Sequence, residues 1–197
     1  MIKELKLKFP LFQTKFFDHE KLKKSLIDKI NKSNHNDTNG INDSIEKFDW
    51  DIAKDIERDW VKELIQPIYS QLNVFAQKMG YKRLTIKQIW FQKYVKNSVH
   101  NWHIHGDNYT GVYYLKLPTD HKSCYTQFLY PDNLNKRFSL DANEGDILFF
   151  PSFLIHRAPH LQSSEDKIII SWNCEFVGLE EKYIEERENI EFLKLFR

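Results

Sequence analysis

"NWHIHGDNYTGVYYL", Asn101–Leu115, places His103, His105 and Asp107 at alternate positions directly before an apolar, aromatic run. An extended chain sends alternate side chains to the same face. Read as a strand or a strand end, the segment aims these metal-capable groups one way, next to hydrophobic neighbours. The surrounding segments keep the same period. "TIKQIWFQKYV" puts Gln88, Trp90, Gln92 and Tyr94 on one face and Ile89, Phe91 and Val95 on the other. "TGVYYLKLP", "SCYTQFLY", "GDILFFPSFLIH" and "KIIISWNCEF" are rich in β-branched and aromatic residues and are bounded by Gly, Pro and Asn. Short strands in such close succession predict a sandwich or barrel over residues 81–178.

Outward from this core the period changes. In the first part of the chain, about Asp18 to Ser33 reads as a helix, with Asp18 as its cap and Leu22, Leu26, Ile27 and Ile30 as its apolar stripe. A loop rich in Asn, Asp and Ser follows. A second helix runs from about Asp59 to Met79 on Trp60, Leu64, Ile68, Leu72, Phe75 and Met79, with Pro67 as a potential kink and Gly80 as its stop. The closing segment from Leu179, "LEEKYIEERENIEFLKLFR", predicts a helix docked on the domain or on a second copy. The expectation is one α+β domain over 1–197: helical support to residue 80, a β core over 81–178, and a C-terminal helix over 179–197.

The chain has 197 residues, is 41% hydrophobic and 15% aromatic, and carries a net charge of +1, which suits one sizeable core. No basic stripe argues for nucleic acid, and no run approaches the roughly 20 apolar residues of a membrane span. The charged N-terminus does not read as a signal peptide. Cys124 and Cys174 are far apart and outside any CxxC, which predicts reduced thiols in a cytoplasmic protein. The remaining partners are a peptide or small-molecule substrate, for a monomer or a homodimer.

His105-Gly106-Asp107 is an H-x-D pair, and "GDILFFPSFLIHRAP" supplies His156 downstream. Two imidazoles and one carboxylate form the facial set that holds non-haem Fe(II) and leaves positions open for co-substrate and O₂. His103-Ile104-His105 repeats the spacing and competes with it. Lys167 enters the apolar strand "KIIISWN", a costly place for a charge unless it meets an anion such as a co-substrate carboxylate.

"HGD", "TGVYYLKLP", "GDILFFPSFLIHRAP" and "KIIISWN" resemble the double-stranded β-helix core (jelly-roll or cupin-like) of the Fe(II)/2-oxoglutarate-dependent oxygenases. The likeness is to the prolyl-4-hydroxylase-like branch, with its small phage and marine bacterial members, and runs from about Ile86 to Phe176. The resemblance implies that His105, Asp107 and His156 bind iron, that Lys167 binds the far carboxylate of 2-oxoglutarate, and that Tyr94 and Tyr114 line the co-substrate pocket. It implies a hydroxylase of an unactivated C–H bond, such as a prolyl residue in a peptide, with Fe(II), 2-oxoglutarate, O₂ and ascorbate as reductant, in the cytoplasm of a phage host or bacterium. The chain departs from the pattern twice: many small members carry arginine at Lys167 and serine at Ile169. Arginine grips a carboxylate with a fixed fork, lysine as a point charge. The rival readings are a cupin-type metalloenzyme that does not use 2-oxoglutarate, and a non-catalytic β-sandwich binding module.

Overall fold

The computed structural model describes residues 9–33, 44–120 and 124–182. Among them are strands β1 (Phe12–Lys15), β2 (Lys47–Phe48), β3 (Tyr81–Tyr94), β4 (His100–His103), β5 (Tyr109–Lys116), β6 (Gln127–Tyr130), β7 (Asn133–Ser139), β8 (Asp146–Pro151), β9 (His156–Ala158) and β10 (Lys167–Leu179). Helix α1 spans His19–Lys32 and α2 spans Asp59–Lys78, with a 3₁₀ turn at Trp50–Ile52.

Both helices form where the apolar period requires. α1 buries Leu22, Leu26 and Ile30, and α2 buries Trp60, Leu64, Ile68, Leu72 and Phe75. Asp18 makes no side-chain cap; its backbone carbonyl accepts the Leu22 N–H at 3.0 Å instead. α2 continues through Pro67, and Gly80 takes the left-handed φ of +82° that ends a helix.

The strands form two antiparallel sheets. The larger has the order β1-β8-β5-β10-β3-β2, the smaller β4-β9-β6-β7. The helices cover one face of the larger sheet, over a core that includes Phe91, Tyr113, Phe149, Ile170 and Trp172. Its other face meets the smaller sheet around Tyr114, Phe128, Leu148, Phe150 and Ile169. This is the expected double-stranded β-helix, and the space between its sheets holds the site. Gly111 is required by close approach: a Cβ there would lie 2.0 Å from the ring of Trp172, its neighbour on β10.

Three elements differ from the sequence expectation. Leu179 ends β10 rather than opening a helix, and residues 183–197 of the expected closing helix lie outside the described residues, as does most of the Asn-rich loop. β1 extends the larger sheet through β8, from a segment that shows no strand period. β7 forms from "NLNKRFS", almost entirely exposed, because pairing with β6 holds it in place without burial. No described helix is long and apolar enough to cross a membrane.

A candidate metal and co-substrate site

β4 and β9 pair so that His103 lies opposite His156. The chain leaves β4 after His103, and His105 is held by its N–H, which donates to the Ser152 carbonyl at 3.0 Å. Ser152 is fixed in turn: its hydroxyl lies 2.8 Å from Thr110 Oγ1, which donates to Asn173 Oδ1 at 2.9 Å. Ring centroids are 4.3 Å apart for His103 and His156, 5.1 Å for His105 and His156, and 5.0 Å for His103 and His105. One ring nitrogen from each can lie within 4.8 Å of the other two, close enough for a single metal ion.

Protonation suits that role. Nδ1 of His156 lies 2.8 Å from the Leu154 carbonyl, and Nδ1 of His103 lies 2.6 Å from that of Asn101. A carbonyl only accepts, so each Nδ1 carries the proton and presents Nε2 as the base. Burial, then the His103 charge, holds His105 down to about 4, and burial holds His156 well below the ordinary range. Neutral imidazoles are the form that binds metals.

Asp107 is not among the residues whose ligand atoms lie within 4.8 Å of one another. The alternation ends with β4 at His103, and Asp107 sits in the bend at 106–108. Its half-buried carboxylate lies near Cys174, whose thiol is pushed up first by burial and then by Asp107. His100, which reads as a surface residue, stacks on His103 at 3.9 Å and lies 3.1 Å from the amide nitrogen of Gln92.

Lys167 opens β10 opposite Tyr94 and is 2% exposed. Its ammonium donates to the Cys124 carbonyl at 2.6 Å and sits 5.1 Å from the Tyr94 ring and 5.7 Å from that of Tyr114. Among the described residues no carboxylate pairs with it; Asp166 pairs with Lys93 and Glu165 binds Thr119. Burial pulls its pKa down to about 8. A buried ammonium with no counter-ion is costly, and a dicarboxylate would supply one. The donor set therefore fits both groups: three imidazoles for a divalent metal, and a buried cation for an organic anion. Tyr94 is buried on the face that lines the inner cavity; the Tyr114 hydroxyl is engaged by Thr126, 2.8 Å from its Oγ1 and 3.1 Å from its N–H.

The face expected from the β3 alternation is the one that lines the site. Trp90, Gln92 and Tyr94 bound a narrow inner cavity with Thr126, Ser171 and the imidazoles. Trp90 and Gln88 bound an outer cleft of about 320 Å³ that opens onto His103 and His105. Trp90 lines both and is 5% exposed, and its Nε1–H has no hydrogen-bond partner among the described residues. Its alternation on β3 gives its direction, but as a residue type it reads as packing.

The model of a 2OG-Fe(II) oxygenase family matches residues 88–173, which contain the three histidines, Lys167 and Tyr94. No curated protein matches the chain. Among solved structures, a Pseudomonas putida prolyl-4-hydroxylase superimposes with a TM-score of 0.61 at 12% identity, over 85% of this chain and 92% of that one. The 2OG complex of a viral collagen prolyl hydroxylase from Paramecium Bursaria Chlorella virus-1 gives 0.58 at 17%, over 83% and 94%. A Trichoplax adhaerens prolyl hydroxylase, in complex with a hypoxia inducible factor oxygen degradation domain peptide fragment, gives 0.60 at 19%, over 87% and 84%. Residues 88–173 thus match a 2OG-Fe(II) oxygenase family model, and the chain has the fold of these prolyl hydroxylases.

Proposed function

We propose that the chain is a 2-oxoglutarate-dependent hydroxylase in which His103, His105 and His156 hold Fe(II) and Lys167 holds the distal carboxylate of 2-oxoglutarate. Its substrate is a polypeptide, with a prolyl residue as the reacting group. The observation that carries the reading is the combination of three converging imidazoles, two of them on the smaller sheet, with a buried ammonium on the larger sheet that no described carboxylate neutralises. The substrate class draws its support from the peptide and collagen named for the structural neighbours. Bound iron and 2-oxoglutarate supply O₂ activation and C–H oxidation, with succinate and CO₂ as co-products.

The protein's own contribution is placement and dryness. The carbonyls of Leu154 and Asn101 hold two rings by Nδ1 and set their tautomers. Tyr94 and Tyr114 keep water from Lys167, so its attraction for a carboxylate acts in a low dielectric. Three neutral imidazoles bring no negative charge to the metal, so the anionic co-substrate is the natural complement of this donor set. Ascorbate would serve as reductant.

The test is to incubate the chain with Fe(II), 2-oxoglutarate and ascorbate and to follow succinate, alongside thermal melts with Ni(II) and N-oxalylglycine. The expected result is 2-oxoglutarate turnover and a co-substrate-dependent rise in Tm. A chain whose Tm ignores both additives and that forms no succinate would refute the proposal. Metal protection without co-substrate protection would favour a metalloenzyme that does not use 2-oxoglutarate.

A further inference from the structure

β3 has one edge that the fold leaves open. Along one side it pairs with β10 from Tyr81 to Tyr94. Along the other, β2 reaches only Lys93 and Gln92. Three further N–H groups of that strand are held by non-strand partners: Phe91 donates to Asp49 Oδ1 at 2.8 Å, Ile89 to the Ala53 carbonyl at 2.9 Å, and Leu84 to Asn73 Oδ1 at 3.1 Å. Between Leu84 and Ile89 no strand of the described residues covers this edge. The pairing with β10 shifts register here, so Lys87 has no Cα partner and the strand bulges.

A groove of about 380 Å³ lies along that open stretch, bounded by consecutive residues of β3, by Ile65 and Tyr69 of α2, and by the segment from Ala53 to Ile56. It shares Ala53 and Gln88 with the outer cleft that opens onto His103 and His105, so the two lie side by side. Its described lining includes the cations Lys54, Arg83 and Lys87 and no carboxylate residue; Lys87 is paired with Glu175 across the strands. Ile56, on its rim, is 58% exposed.

We propose that this groove binds the stretch of polypeptide flanking the reacting residue, by strand addition to β3, with acidic side chains facing Lys54 and Arg83. The inference rests on the reading of the histidine site as a hydroxylation centre. An uncovered sheet edge offers main-chain hydrogen bonds to an extended peptide, and a helix alongside it supplies apolar walls for alternate side chains. The open stretch, Thr85 to Gln88, offers about four residues of β3, roughly 3.3 Å each, to an extended chain. The recognised substrate is therefore an extended, acidic segment with its reacting residue at one end of the paired stretch. A compact metabolite would leave the groove unused.

The experiment selects a random decapeptide library on the full chain loaded with Ni(II) and N-oxalylglycine, then measures affinity of a labelled, selected peptide by fluorescence anisotropy. The expected winners carry Asp or Glu on one side of a common residue. Lys54→Glu and Arg83→Glu each weaken binding by about tenfold or more, and a peptide with its acids changed to Lys recovers affinity for the reversed proteins. N-methylation of alternate peptide amides lowers affinity by about tenfold in one phase only, as strand pairing requires. Throughout, Ni(II) and N-oxalylglycine still raise Tm. No acidic enrichment, or binding indifferent to charge reversal and N-methylation while that protection persists, overturns the inference. So does a homodimer that the two reversals dissociate in sedimentation, which would assign the groove to a second copy. Loss of protection in the unaltered chain instead defeats the reading of the histidine site.

Discussion

The two faces of the larger sheet have the same strands and opposite chemistry. Along β10, Ile168, Ile170, Trp172 and Cys174 belong to the core beneath the helices. Between them, Lys167, Ser171 and Asn173 alternate with Ile169 on the side toward the smaller sheet, and all are buried. β3 repeats the contrast: Ile89 and Phe91 join the helical core, while Trp90, Gln92 and Tyr94 line the site. The helix-side face gains stability from apolar burial. The inner face instead keeps a buried ammonium, imidazoles and an unpartnered indole N–H, each of which costs stability until something binds. One face makes the fold and the other uses it, so substitutions on the two faces should separate.

The largest effect should come from His156→Ala on the inner face. Succinate formation should fall by about a thousandfold or more, and the rise in Tm with Ni(II) should disappear. On the helix side, Phe149→Ala removes a fully buried ring stacked on Phe75; it should cost about 3–5 kcal/mol in urea unfolding while leaving co-substrate affinity within about twofold. Both losses appearing together in either variant would erase the contrast between the faces.

Lys167→Met sharpens it. Affinity for N-oxalylglycine, read by calorimetry, should weaken by about 30-fold or more, while the apoprotein should be as stable as the parent or more so, because an uncompensated buried charge has gone. The pH dependence carries the same sign. Lys167 titrates near 8 in the folded chain against an ordinary 10.5. Between these values the unfolded chain binds more protons, so apoprotein stability should rise with pH across that window. Co-substrate affinity should fall over the same range, as the ammonium loses its charge. The smallest effect is Trp90→Phe, which keeps an aromatic ring, though a smaller one, and deletes the N–H. KM for a substrate should rise about fivefold, with Tm unchanged or slightly higher, since the orphaned donor is removed.

Much of this was legible in the sequence because the relevant signals are periodic. Alternation along "TIKQIWFQKYV" separated the site face from the core face, and the spacing of Leu22, Leu26 and Ile30 marked α1. β7 was illegible because pairing, not burial, holds its largely exposed residues, and β1 because its four residues are too few to show a period. At the site, β4 ends at His103, and the backbone of the segment after it is bonded to Ser152 and Cys174, distant residues that leave no trace in a period-two pattern. His100 escaped notice because its place is set by cross-strand pairing with β9, a contact between distant parts of the chain.

The most direct measurement is an anaerobic Fe(II) titration of the unaltered chain, His103→Ala and Asp107→Ala. The account predicts that Asp107→Ala binds within about threefold of the parent, and that His103→Ala binds more weakly by about 100-fold or more. Retained affinity in His103→Ala together with its loss in Asp107→Ala would contradict it.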